Sequence, residues 1–227
     1  MAKQQNNEEQ LLLETIGKAE SFLEKNKNVL IYGIGGLALL ILGIVYMNTT
    51  FLPEREAKAQ KDMFMAQFAF DKDSFDLALN GSGKDKGFFF FFDGGMDYMF
   101  TSAKSLAAYQ AGICYLQLGK FDKAIEYLER FSSSEDMVQS QAYCALGDAY
   151  AEKGDMSKAC SYYKKAANGT KNEVLAPMFM FKAGMAFEAN KDKEAALEMY
   201  MKLKKEFPTS EEGREIDKFI LKVGGEI

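Results

Sequence analysis

A spacing that occurs three times constrains this chain more than any other feature. Segments 106–131, 141–166 and 178–203 align so that a glycine is followed three residues later by an aromatic ring. The pairs are Gly112 and Tyr115, Gly147 and Tyr150, and Gly184 and Phe187. Twelve residues after each glycine comes an alanine (Ala124, Ala159, Ala196), and four further on a large side chain (Leu128, Tyr163, Tyr200). Such spacing predicts two helices of about a dozen residues that cross closely, with small residues such as Gly112 and Ala124 at the contact and rings filling the groove beside it. Gly119 and Gly154 fall where the first helices end, a position that a left-handed residue occupies at little cost. Few proline, valine and threonine residues, with abundant Ala, Lys, Glu, Leu and Met, agree with a helical chain.

The glycine-to-glycine steps are 35 and 37 residues. On those residues the segments resemble the tetratricopeptide repeat, whose period is about 34 residues. Pro208, in KEFPTS, stands where that family places its closing proline. The family's tryptophan is replaced by Ala108, Tyr143 and Met180, and the first two repeats have no closing proline. The expected fold is all-α: an N-terminal amphipathic helix, one transmembrane helix, and an α-solenoid of about three tetratricopeptide repeats. A degenerate hairpin at 54–79 precedes the repeats, and a single capping helix at 211–223 follows, as solenoids require. The boundaries read as tail 1–28, span 29–47, degenerate hairpin and connector 48–104, repeats 105–210, and cap 211–227.

Residues 29–47, VLIYGIGGLALLILGIVYM, run nineteen positions without a charge. As a helix they extend about 28 Å, close to the hydrocarbon thickness of a bilayer. Tyr32 and Tyr46 stand near the two ends, where amphipathic rings prefer to lie. AKAQ at 57–60 resembles a signal-peptidase site, but it lies about ten residues beyond the apolar run, and 28 residues precede that run. An uncleaved anchor is therefore expected. Lys3, Lys18, Lys25 and Lys27 precede the span against Arg55, Lys58 and Lys61 after it, a small bias toward a cytoplasmic N-terminus. Gly33, Gly36, Leu40 and Gly43, with Met47, share one side and offer a close approach to another membrane helix. Glycine is also common in spans without any such partner. Ahead of the span, Leu12, Ile16, Ala19 and Leu23 form one face of an amphipathic helix, and residues 1–7 read as disordered.

Composition excludes several activities. The 227 residues contain no histidine, so Ser-His-Asp and Cys-His machinery cannot be built. A formal charge of −5 and an acidic pI argue against nucleic-acid partners. Cys114, Cys144 and Cys160 lack zinc-ligand spacing and read as small apolar packing, with a Cys144–Cys160 disulfide open to an oxidising compartment. No cofactor, no metal and no enzymatic activity are expected.

In the tetratricopeptide family the first helix of each hairpin lines an inner groove. The resemblance assigns to it Leu106, Tyr109, Ile113 and Leu116 from the first repeat, and Gln141, Cys144, Asp148 and Ala151 from the second. The third contributes Met178, Phe181, Lys182, Met185 and Glu188. That lining is apolar, aromatic and Met-containing with few charges, which suits adaptable apolar partners. Packing of capping helices across the same face is the competing reading. A clamp for C-terminal carboxylates needs Lys, Arg and Asn there, and this chain has Tyr109, Ile113, Cys144, Asp148, Phe181 and Met185 instead.

The whole layout is similar to the YfgM-like ancillary subunits of the Sec translocon in their Bacteroidetes-type form, with SFDLALNG ahead of the repeats and GREIDKFI after them. That resemblance implies a single-pass inner-membrane protein with its N-terminus in the cytoplasm and its repeats in the periplasm. Its implied partners are a SecYEG-type channel, a membrane-anchored prolyl isomerase-like chaperone and secreted client polypeptides, recognised through the groove. A tetratricopeptide adaptor of another envelope or secretion complex is the alternative. One stretch fits neither: Phe88, Phe89, Phe90, Phe91 and Phe92 are consecutive, and no periodic element buries them all. They read as a buried corner holding two or three rings, as an exposed apolar patch, or as letters foreign to the encoded chain.

Overall fold

The computed structural model describes residues 2–93, 98, 99 and 101–226, giving the backbone alone for 2–15, 18–20, 30 and 93. It divides into two compact units, Met1–Glu54 and Arg55–Ile227.

The first unit is dominated by one helix, α1 (Ala2–Tyr46). Tail and span run together in it without a break, and the helix begins at Ala2, where the sequence reads as disordered through residue 7. No proline interrupts it, and Asn26 turns its amide onto the Phe22 carbonyl at 2.9 Å instead of competing for the helical ladder. A π-turn, Met47–Phe51, follows α1, with the Leu52 N–H reaching back to the Met47 carbonyl. Pro53 supplies the cause: it has no N–H to donate, and its ring crowds the carbonyl four residues earlier, so the turn before it widens. Among the described residues one helical run, Ile31–Asp71, is long and apolar enough by composition to cross a membrane, with a mean hydropathy of 1.9 over its best window.

In the second unit, where a degenerate hairpin is expected, α2 (Leu52–Asp71) is followed by α3 (Phe75–Asn80), with the Phe70 and Phe75 rings edge-on at 5.9 Å. A two-stranded ribbon follows, β1 (Gly81–Ser82) against β2 (Asp85–Lys86), then α4 (Phe88–Asp93). The five phenylalanines are thus helical after all. Rings three apart on a helix share a face, so Phe88 and Phe91 are fully buried and Phe92 half-buried, while Phe89 and Phe90 face outward. The corner is fixed by a polar knot: the Tyr98 hydroxyl donates to Asp62 at 2.7 Å, and the Lys86 ammonium donates to both Asp62 at 3.1 Å and Tyr98 at 2.9 Å. The same ammonium lies 4.5 Å from the Phe90 ring centre, so one outward ring is partly covered.

Three helical hairpins make the solenoid: α5 (Ser102–Gln117) with α6 (Phe121–Glu129), α7 (Asp136–Glu152) with α8 (Met156–Gly169), and α9 (Leu175–Ala189) with α10 (Lys193–Glu206). Each seam is a knob in a hole, and the knob is the large residue four positions after the alanine. A methyl group at Gly112 would lie 2.6 Å from Leu128 Cγ, one at Gly147 would lie 2.6 Å from the Tyr163 ring, and one at Gly184 would overlap Tyr200. Leu128 thus rests on Gly112, and Ala124, expected at the same crossing, is fully buried. Gly119 and Gly154 close their first helices with φ of +70° and +80°, and Lys191 takes that role in the third hairpin at +65°. Asp155 and Asp192 cap α8 and α10 by accepting backbone N–H bonds at 3.1 and 3.0 Å. The single expected capping helix is two short ones, α11 (Glu211–Glu215) and α12 (Asp217–Val223), with buried Ile216 at their junction. All three cysteines are buried free thiols.

Candidate interaction surfaces

The first helices of the three hairpins, α5, α7 and α9, place the expected groove residues in three different situations. In the first hairpin Leu106 is exposed, and Tyr109, Ile113 and Leu116 are half-buried against the core. Tyr109 leans on buried Phe131 with ring centres 5.2 Å apart, which fixes its orientation and leaves one edge to solvent. Burial raises its hydroxyl pKa, so it remains a neutral donor over ordinary pH.

In the second hairpin the few charges expected in the lining are joined to one another. The carboxylate of Asp148 receives the Lys182 ammonium from α9 at 2.8 and 3.0 Å, and the Tyr163 hydroxyl from α8 at 2.6 Å. Burial opposes the lysine's charge, but Asp148 and the neighbouring Cys144 outweigh it, so its pKa is raised. Cys144 itself is buried beneath this pair, below the groove surface, and its thiol is pushed up to about 11 by burial first and the Asp148 charge second. Sequence reasoning assigned Asp148 and Lys182 separately to the groove and missed their pairing. A signal existed: the two opposite charges stand 34 residues apart, one helical turn short of the 37-residue step from Gly147 to Gly184, a diagonal pairing between neighbouring hairpins. Lys164 and Glu198, also 34 residues apart, are joined in the same way at 3.4 Å.

Beside the pair a cavity of about 330 Å³ opens between the second and third hairpins, lined by Ala151, Met156, Tyr163, Lys182, Met185 and Ala189, with Ala186 behind. Met185 is 48% exposed at its mouth. Met178 is half-buried against the core. Phe181 is corrected from an open groove position: its ring packs edge-on against Phe219 of α12 at 4.8 Å. Ion pairs from Lys204 to Asp217 at 2.7 Å and from Lys222 to Glu188 hold α12 in place. Phe181 and Phe219 together floor a second cleft of about 340 Å³ whose rim carries Glu211, Glu212 and Glu215.

On the first unit, Gly36, Leu40 and Gly43 line a shallow apolar groove of about 670 Å³ with Leu39, Ile44, Met47, Asn48 and Leu52. Gly33 lies outside that lining. Nothing described stands within 4 Å of a methyl group added at Gly33, Gly36 or Gly43, so the glycines hold open space.

Residues 109–173 and 179–210 each match a family of tetratricopeptide repeats. No curated protein matches the chain. Residues 109–210 are therefore tetratricopeptide-type hairpins, an architecture that serves as a scaffold for protein–protein interaction.

Proposed function

We propose that this protein is a membrane-tethered tetratricopeptide scaffold of bacterial protein export. It stands in the inner membrane beside a SecYEG-type channel and a membrane-anchored prolyl isomerase-like chaperone, with its N-terminus cytoplasmic and its repeats periplasmic. Secreted client segments or the chaperone dock along the inner face of α5 and α7. The observation that carries this reading is the uneven covering of that face. The third hairpin has its inner aromatic, Phe181, packed edge-on against Phe219 of the cap, whereas Leu106, Tyr109, Ile113 and Leu116 keep apolar surface toward solvent. Recognition there is by shape and apolar contact, each buried large side chain contributing about 1.5–3 kcal/mol.

A photo-reactive residue replacing Leu106 or Tyr109 in native membranes tests the assignment. Cross-links to channel subunits and newly exported chains are expected. Cross-links to one fixed envelope protein and to neither of those would replace this reading with an adaptor role. Lys153→Cys in the α7–α8 turn reports topology, because the native thiols are buried and give little background. Labelling by an impermeant reagent in intact spheroplasts is the expected result, and labelling only after lysis would reverse the orientation.

A further inference from the structure

Helix α9 separates two clefts of opposite character. On its α7 side is the cavity of Ala151, Met156, Tyr163, Lys182, Met185 and Ala189. Every polar group there is already paired: the Lys182 ammonium and the Tyr163 hydroxyl both donate to Asp148. A polar guest would lose its hydration and find few new hydrogen-bond partners, so the cavity favours one large uncharged apolar side chain. On the other side of α9 is the cleft floored by Phe181 and Phe219. Phe181 lies next to Lys182 in sequence and one helical turn before Met185, so one short segment laid across α9 reaches both.

The second cleft is aromatic below and anionic at its rim. Glu215 is paired with Lys218, and Lys218 also lies 5.3 Å from the Phe219 ring centre. The protein's own lysine thus shows the geometry in which an ammonium meets both a ring and a carboxylate here. Glu211 and Glu212 have no ion-pair partner among the described residues, which leaves the rim with an excess of negative charge.

We propose that the two clefts act together on one kind of partner: a peptide segment in which a large apolar side chain is followed within a few residues by Lys or Arg. The apolar group enters the cavity beside Met185, and the cation lies over Phe219 between Glu211 and Glu212. This deepens the groove reading above and rests on it. It adds a charge rule that the apolar face of α5 cannot supply.

The test uses the full chain in detergent and fluorescein-labelled twelve-residue peptides carrying a central Leu-Phe pair and, three residues on, Arg, Gln or Glu. The Arg peptide should bind about five- to tenfold more tightly than the Gln peptide and more tightly still than the Glu peptide, with the preference shrinking in high salt. The double change Glu211→Lys and Glu212→Lys, at one exposed and one half-buried position of the rim, should abolish or invert that preference while leaving Gln-peptide binding intact. Ala189→Phe, which fills the cavity mouth, should weaken all three peptides by about tenfold or more. Circular dichroism and melting temperature establish that both variants are folded. Equal binding of all three peptides would overturn the charge rule and leave the apolar groove standing. Binding of none, together with no cross-links from Leu106 or Tyr109, would remove both.

Discussion

The second and third hairpins are built on one seam and finished in two ways. In both, a tyrosine fills the hole left by a glycine: Tyr163 over Gly147 and Tyr200 over Gly184. The two tyrosines spend their hydroxyls differently. Tyr163 donates at 2.6 Å to Asp148, which Lys182 neutralises across the repeat boundary. Tyr200 donates to Glu188 at 3.3 Å, and its ring lies 5.7 Å from Phe219 of the cap. An interior repeat can pass an unsatisfied charge to the next hairpin. A terminal repeat has no next hairpin, so aromatic rings of the cap pack along its inner face instead, and Phe181 and Phe219 floor a cleft there. The seam sets the fold, and what lies over it decides whether a hairpin remains available to other proteins.

Substitutions can break this contrast, and the largest effect is expected at the seam. Tyr200→Ala removes a fully buried ring and should cost about 3–5 kcal/mol, read as a lowered denaturation midpoint. Tyr163→Ala should behave alike; a cost near zero at either site would mean that the seams are not equivalent. Next comes the cap. Phe219→Ala should destabilise by about 2 kcal/mol and raise amide exchange in α9 and α12 while leaving α5 and α7 unchanged. Faster exchange spread evenly through all three hairpins would show that the cap governs the whole solenoid. At the turns, Lys191→Gly should stabilise by about 1 kcal/mol, because a lysine at φ +65° pays for a backbone that glycine adopts freely. Gly154→Ala, at +80°, should have the opposite sign. The smallest effect is in pH dependence. Lys182, Tyr163 and Tyr200 all have raised pKa values in the folded chain, so they hold protons that the unfolded chain releases. Their contribution is complete below the unfolded values and declines as pH rises above about 10. Lys182→Met should flatten part of that decline in melting curves, whereas an unchanged slope would show that Asp148 does not depend on its partner.

The solenoid was legible in the sequence because its contacts are local. Gly112, Ala124 and Leu128 lie within one hairpin, and their spacing records the crossing. The groove was less legible because it forms between hairpins. Asp148 and Lys182 meet only after two repeats are stacked, and each alone looks like a solvated charge. Phe181 looked like an open lining residue because nothing in its own helix announces Phe219, which arrives from α12. The phenylalanine run defeated a search for a fully buried element. A single helical turn satisfies it by hiding Phe88 and Phe91 and leaving Phe89 and Phe90 outside.

The three thiols carry a consequence of their own. Burial pushes Cys114 up to about 12, holds Cys144 at about 11 and raises Cys160, so almost no thiolate exists at neutral pH. Exchange between thiols and disulfides begins with a thiolate that can reach its target, and these sulfurs offer neither charge nor access. The repeat unit can therefore stand among oxidising catalysts and half-oxidised chains without becoming cross-linked to them, and its fold does not wait on any oxidation step.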